Sequence, residues 1–256
     1  MGDAKRIRVE PIDRKAADAA VKRWHYSGRT YSKSRLHLGV FMDGALLGAM
    51  QFGPPLQTSH LVGLVDGTSW NGFVELNRMA FSDRLPRNSE SRALAISMRL
   101  MRTHAPHVRW VVSFADGTQC GDGAIYRASG FVLTGIKRNT SLWRTPQGKV
   151  VSDVGVRTSE SLCRVLRTNG SSASLVSAGC ERLAGFQLRY VYFIDPTARE
   201  RLTVPVIPFS AIDAAGARMY RGKPSPCAGT STRDSTAVGG GGEKCTGART
   251  SRPTRC

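Results

Sequence analysis

His25 and Tyr26 stand side by side after a helix-like stretch. An imidazole next to a phenol offers proton transfer near neutral pH together with an aromatic face for stacking. A lone loop histidine is also an ordinary surface group. Asp116 follows the apolar run 108–114 and precedes Gly117. Its carboxylate therefore stands at the C-terminal edge of a buried strand, where α/β sheets place ligands and a small neighbour lets a substrate approach. The same Asp-Gly pair is a common turn former. Glu75, Asn77 and Arg78 lie along a second strand-like run. A side-chain period of two puts Glu75 and Asn77 on one face and Arg78 on the other. Either face could meet a substrate, Arg78 by a bidentate hydrogen bond to a phosphate. An ion pair between Glu75 and an arginine is the structural alternative. Ser113, on the strand that leads to Asp116, is a second-rank candidate, and so is Asp122, which could equally cap the helix that follows it.

Elements must hold these groups. Residues 14–24 read as a helix, and 36–41 and 46–52 as strands joined by the tight turn Asp43-Gly44. A third strand covers 74–81, and the helix 89–103 carries Leu94, Met98 and Met101 on one face. The apolar run 108–114 is a buried strand, and 124–129 is a short helix closed by Gly130. Strands at 131–138 and 142–145 follow, with a turn at Asn139. In 159–181 the Ser and Gly content argues for loop, while 162–166 could be helical. Residues 189–194 read as a strand, and 202–207 as another that Pro205 confines to an edge or terminus. No internal repeat is visible.

The 256 residues carry 37 Lys and Arg against 19 Asp and Glu, a net charge of +18 that favours polyanionic partners, nucleic acid before an acidic membrane face. From Pro224 onward the chain is Gly, Ser, Thr, Pro and Arg, which cannot bury enough apolar surface to offset chain entropy. Residues 223–256 therefore read as a disordered basic tail. Its six basic residues against two acidic ones leave most of the charge on the folded part. No basic start with an apolar run and no long apolar stretch signals secretion or membrane spanning, so no membrane partner and a cytoplasmic location are expected. The six cysteines lack CxxC spacing, which argues against a disulfide framework or a zinc site.

The order strand 74–81, polar loop 82–88, helix from Ser89, strand 108–114 and Ala124-Ile125-Tyr126-Arg127-Ala128-Ser129-Gly130-Phe131 resembles the cofactor-binding half of the GNAT acyltransferase superfamily. That resemblance implies an α/β (α+β) fold, a mixed and mostly antiparallel central sheet flanked by helices, with extra C-terminal strands before the tail. One catalytic domain would span 1–222, with about 160–222 as a family-specific extension. It also implies that Asn88, Ser89, Ser91 and Arg92 bind cofactor, the backbone amides of 88–92 cradling a coenzyme A pyrophosphate at a helix start. Tyr126 would be a general acid near the coenzyme's sulfur. The superfamily loop usually has a basic or Gln residue followed by glycines, whereas Arg87-Asn88-Ser89-Glu90-Ser91-Arg92 has no glycine.

A narrower resemblance covers about 20–222. Trp24-His25-Tyr26-Ser27-Gly28, Leu47-Gly48-Ala49-Met50-Gln51-Phe52-Gly53, Glu75-Leu76-Asn77-Arg78-Met79, Asn88-Ser89-Glu90-Ser91-Arg92 and Ser113-Phe114-Ala115-Asp116-Gly117 occur in that order, followed by Gly121-Asp122-Gly123 and Arg189-Tyr190-Val191-Tyr192-Phe193. Together they resemble the Mom DNA-modification family of Mu-like phages. The resemblance implies conversion of adenine in double-stranded DNA to an N6-carbamoylmethyl form, in the host cytoplasm, which shields phage DNA from restriction. Tyr26 would then stack on an extruded base, His25 would handle a proton, and Asp116 would take the proton of the adenine amino group. Ser27, Glu75, Asn77, Arg78 and Ser113 would bind substrate. Lys22, Arg23, Arg29, Lys33 and Arg35, interleaved with aromatics, would contact DNA phosphates. Carbonyl attack on acetyl-CoA would give an amide, not this product, so acetyl-CoA or a related acyl or aminoacyl donor is left open. So is an iron ion held by His25, Asp116 and one more ligand, and so is a homodimer. A conventional acetyltransferase and a non-catalytic DNA-binding module are the competing readings.

Overall fold

The computed structural model describes residues 3–117 and 121–217. The expected tail at 223–256 lies outside the described residues. The elements in chain order are β1 (Arg8–Pro11), α1 (Arg14–Trp24), β2 (Leu36–Met42), β3 (Ala45–Gly53), β4 (Phe73–Phe81), α2 (Ser89–His104), β5 (Trp110–Asp116) and α3 (Ala124–Ala128). After these come β6 (Val132–Arg138), β7 (Leu142–Arg144), β8 (Val150–Ser152), α4 (Asp153–Arg157), α5 (Glu160–Leu166), α6 (Ser172–Ser177), β9 (Glu181–Arg182), β10 (Phe186–Phe193) and α7 (Ser210–Ala214).

Seven strands form one sheet in the order β1-β2-β3-β4-β5-β10-β6. Every neighbouring pair is antiparallel except β4 and β5. This is the mixed, mostly antiparallel sheet flanked by helices that the resemblance implied. The β2–β3 turn is set by Asp43 and Gly44, both at positive φ (50° and 79°), the turn type whose twist matches that of the paired strands.

Along β5 the alternation is complete. Val111 and Ala115 join one core with Leu94, Met98 and Met101 of α2, while Trp110 and Val112 join a second core on the other face, under Leu64, Val65 and Ala198. On that second side Ala17 and Ala20 of α1 pack against Ala49, small side chains that let the helix approach the sheet closely. Asp13 starts α1 by accepting from the Ala16 N–H at 2.8 Å.

Between β6 and β10 the chain makes a small separate layer. Its sheet order is β8-β7-β9, and Trp143, Val151, Val156, Leu166, Leu175 and Cys180 form its own core. Here lie α4 and, in the 159–181 stretch whose Ser and Gly content argued for loop, α5, which covers the 162–166 run that could be helical, and α6. Serines cap all three helices: Ser152, Ser159 and Ser171 accept from the N–H groups of Gly155, Leu162 and Ser174. The strand expected at 202–207 is not formed. Leu202 and Ile207 make only isolated bridges, to Val65 and Leu133, as Pro205 between them would suggest. Strand β10 pairs with both β5 and β6, so this part of the 160–222 stretch is interior to the main sheet. No helix among the described residues is long and apolar enough to cross a membrane.

Candidate functional site

The parallel pair β4 and β5 is joined at three positions only, Phe73↔Trp110, Val74↔Val111 and Glu75↔Val112, after which both strands run on unpaired with each other. The sheet opens there. A cavity of about 760 Å³ lies in the opening, lined from β4 by residues 75–79 and from β5 by Phe114, Ala115 and Asp116. His25, Tyr26 and Tyr126 also line it, so all four residues expected to be catalytic meet on one cavity with Glu75, Asn77 and Arg78.

Arg78 corrects the reading from strand period. It was expected on the face opposite Glu75, yet both line the cavity. The β3–β4 register shifts between Gln51↔Arg78 and Phe52↔Leu76, which leaves Asn77 as an extra residue in β4. Such a bulge breaks the two-residue alternation and re-aims the side chains beside it. Asn77 is 6% exposed and fastens two loops: its Oδ1 accepts from Ser34 Oγ at 2.9 Å, and its Nδ2 donates to the Pro54 carbonyl at 3.4 Å. Arg78 Nε donates to the Arg29 carbonyl at 2.7 Å and its guanidinium lies 5.9 Å from the Tyr31 ring, tying the segment after Tyr26 to the strand.

Electrostatics separate the groups. Burial pushes the Glu75 carboxyl up to about 7, a rise that a hydrogen bond from Asn77 and the charge of Arg78 only partly oppose. Burial, and then Arg78, lower the His25 pKa to about 4, so its ring is neutral at pH 7. The Ser27 N–H donates to His25 Nδ1 at 3.2 Å and the Ser27 hydroxyl lies 2.9 Å from the same atom. With Nδ1 accepting, the ring proton of neutral His25 sits on Nε2. Ser27 itself does not line the cavity; it orients the imidazole.

Tyr126 is placed by an aromatic group, with ring centroids 5.3 Å from both Phe131 and Tyr190. The turn before it depends on Gly123, the left-handed start of α3 at φ 73°, where an added Cβ would fall 2.6 Å from the Tyr190 ring. Asp122 is structural, as its alternative reading allowed: its Oδ1 accepts from the Ala124 N–H at 3.0 Å, and Arg127 pairs with its Oδ2 at 2.8 Å. The Tyr190 hydroxyl donates to the Asp122 carbonyl.

Other expected site residues lie elsewhere. Ser113 is fully buried between Val111 and Ala115 on the α2 side of β5 and lines no part of the cavity. Asn88, Ser89, Ser91 and Arg92 also stand off it. Ser89 Oγ donates to the Pro86 carbonyl at 2.6 Å, Ser91 Oγ to Asn88 at 3.2 Å, and Arg92 to Lys5 at 3.4 Å. These side chains donate to backbone carbonyls, and a Glu90 carboxylate shares the first turn of α2. Among the described residues no three His, Cys, Asp or Glu side chains converge, so the iron left open above finds no ligand set there. Lys22, Arg23, Arg29, Lys33 and Arg35 are all exposed, in the segments before and after His25 and Tyr26.

The structure adds Arg189 and Lys137 to the cavity, from β10 and β6, and Leu56, Gln57 and His60 from the loop after β3. Arg189 stood in the Arg189-Tyr190-Val191-Tyr192-Phe193 motif without a role; its Nε donates to Thr134 Oγ1 at 3.1 Å. The loop residues carried no signal of periodicity or motif.

Comparison with known proteins gives two kinds of likeness. The model of the Mom protein family matches residues 6–211. The chain is 34% identical over 203 residues to the methylcarbamoylase Mom of Escherichia phage Mu, covering 78% of this chain and 80% of that protein. Among solved structures, the ribosomal-protein-S18-alanine N-acetyltransferase of Escherichia coli is similar with a TM-score of 0.41 and 11% identity, over 74% of this chain and 94% of that one. A GNAT family acetyltransferase from Elizabethkingia anophelis with acetyl-CoA bound has a TM-score of 0.40 and 10% identity, over 73% and 98%.

Proposed function

The chain belongs to the Mom protein family, and from that premise we propose that it is a DNA-modification enzyme converting adenine in double-stranded DNA to its N6-carbamoylmethyl form. The product protects phage DNA from host restriction. One observation carries the reading: an exposed aromatic ring, a neutral imidazole, a carboxyl held near pH 7 and a second phenol line one cavity where the sheet opens.

An adenine inside a duplex is out of reach of such a cavity and must be extruded into it. Tyr26 offers a face on which the extruded base stacks. Glu75, ionised in about half the molecules near pH 7, takes the N6 proton as the nitrogen bonds to the donor's methylene carbon, and the donor's leaving group departs with its bonding pair. This assigns the base to Glu75 in preference to Asp116, since burial supplies the matched pKa on the β4 wall. Asp116 binds the base from the β5 wall. His25 donates from Nε2 to an oxygen of the transferred group, and Tyr126 supplies a second hydroxyl. Arg78, Arg189 and Lys137 hold anionic parts of DNA or donor. The exposed cations at 22–35 hold the duplex backbone. The donor presents a saturated carbon to the amine, because attack on a thioester carbonyl leaves an amide. The start of α2 lacks the glycines of the superfamily loop and carries Glu90 in its first turn, which favours this reading over a conventional acetyltransferase.

Mass spectrometry of nucleosides from DNA of cells expressing the chain tests the proposal. A deoxyadenosine heavier by the carbamoylmethyl group is expected. Unmodified deoxyadenosine throughout, with folded and soluble protein, would refute it.

A further inference from the structure

We infer that Leu56 is a wedge that enters the duplex and fills the gap left by the extruded adenine, an inference that rests on the DNA-adenine reading above. A solitary exposed leucine is ordinary on a protein surface. This one is 71% exposed, yet it belongs to the lining of the cavity, as does Tyr26, itself 53% exposed.

The loop that presents it is stiff. Pro54 and Pro55 fix two successive φ angles immediately before it. The Pro54 carbonyl accepts from Asn77 Nδ2 at 3.4 Å, and the Pro55 carbonyl accepts from the Thr58 hydroxyl at 3.3 Å. At the loop's base Gly53 is pressed so closely on the neighbouring segment that a Cβ there would fall 2.8 Å from the Lys33 carbonyl. The wedge loop is therefore locked to the 31–35 segment, whose Lys33 and Arg35 are exposed.

These features meet the physical needs of base extrusion. Unstacking a base costs free energy that an apolar side chain inserted between base steps can offset, and the insertion needs a rigid support with cations nearby to hold the backbone. A flexible loop would lose the gain to ordering, and a polar tip would not replace the lost stacking. Leu56 has the apolar tip, the stiff mount and the flanking charge, beside an aromatic face and a cavity able to receive the base.

The test uses the full chain and a short duplex built on a sequence context that the wild-type protein modifies in cells, with 2-aminopurine at the modified position. Wild type should raise the fluorescence of the matched duplex as the base leaves the stack. Leu56→Ala should bind the same duplex within a few-fold of wild-type affinity, and its fluorescence rise should fall on the order of ten- to a hundred-fold. An abasic site opposite the 2-aminopurine, which removes the pairing cost, should restore the rise in Leu56→Ala, and Leu56→Phe should keep it on the matched duplex. In cells, Leu56→Ala should lose modified deoxyadenosine in parallel. A wild-type rise from Leu56→Ala on matched DNA overturns the inference, and so does an equal loss on both duplexes or no rise with wild type. Absence of any modified deoxyadenosine with wild type would instead overturn the DNA-adenine reading itself.

Discussion

Glu75→Gln should make the protein more stable and less active at the same time. The Glu75 carboxyl is raised from 4.5 to about 7, chiefly by burial. At about 1.4 kcal/mol per pH unit, that difference is on the order of 3 kcal/mol. The folded state binds the proton more tightly than the unfolded chain, so between pH 4.5 and about 7 it carries more protons, and stability falls as pH rises. Below pH 4.5 both states are protonated and no cost applies; above pH 7 the full cost of a buried carboxylate is present. Gln, an uncharged near-isostere, removes that cost and keeps a group to which Asn77 can hydrogen-bond. Urea unfolding of both proteins from pH 4 to pH 9 should give curves that coincide at the acid end. They should diverge until the variant leads by roughly 2–3 kcal/mol above pH 7. Modification of DNA should fall about 10²- to 10⁴-fold, the range that a positioned base contributes. A stability difference independent of pH, or a variant as active as wild type, would refute the assignment of Glu75.

Three further outcomes follow from the geometry. Arg78→Ala should raise the His25 pKa from about 4 part of the way toward 6.5, because burial remains, while Arg78→Lys keeps it low; NMR titration of the imidazole reads both, and an unchanged pKa in Arg78→Ala counts against the pairing. Gly123→Ala forces a Cβ to within 2.6 Å of the Tyr190 ring at a φ of 73°, and should cost about 1–3 kcal/mol in denaturant unfolding, with lost activity as Tyr126 is displaced. Replacing Lys33 and Arg35 by Ala should weaken DNA binding alike for all sequences and lower the slope of log K against log salt by about one for each phosphate that is no longer neutralised, whereas an unchanged slope would remove this segment from the interface.

The elements that were legible in the sequence are those whose local pattern and tertiary role agree. α1, the β2–β3 hairpin, β4, α2 and β6 follow from apolar period, an Asp-Gly turn and a closing Gly130. The small layer was obscured because the same residue type serves two ends: serine marks loops, and Ser152, Ser159 and Ser171 use that capacity to cap helices. The short β1 has no periodic signature of its own and is defined by pairing with β2. At the site, His25, Tyr26, Asp116 and Tyr126 were readable as chemistry-bearing types at element ends, and the fold brings them to one cavity. Ser113 was misplaced because alternation along β5 turns it toward α2. Leu56 and Lys137 reach the cavity through loop path and strand order, which no window of sequence contains.

The bulge at Asn77 shows why such a site resists reading by period alone. In a regular β4, Glu75 would face the cavity and Arg78 would not. One extra residue puts both at the cavity and leaves Asn77 buried between them, where it binds the loops that carry Tyr26's neighbours and Leu56. Arg78 in turn lowers the His25 pKa, holds the Arg29 carbonyl and limits how far Glu75 rises. A single backbone irregularity thus couples Glu75, His25 and the segment after Tyr26. Deleting Asn77 would put Arg78 two positions after Glu75, so alternation alone would keep both on the cavity face, while the hydrogen bonds to Ser34 and Pro54 would be lost. The low His25 pKa should therefore persist in that variant while DNA binding falls, because both loops are released together. If the deletion left DNA binding intact in a folded protein, the Asn77 fastening would be incidental to the site.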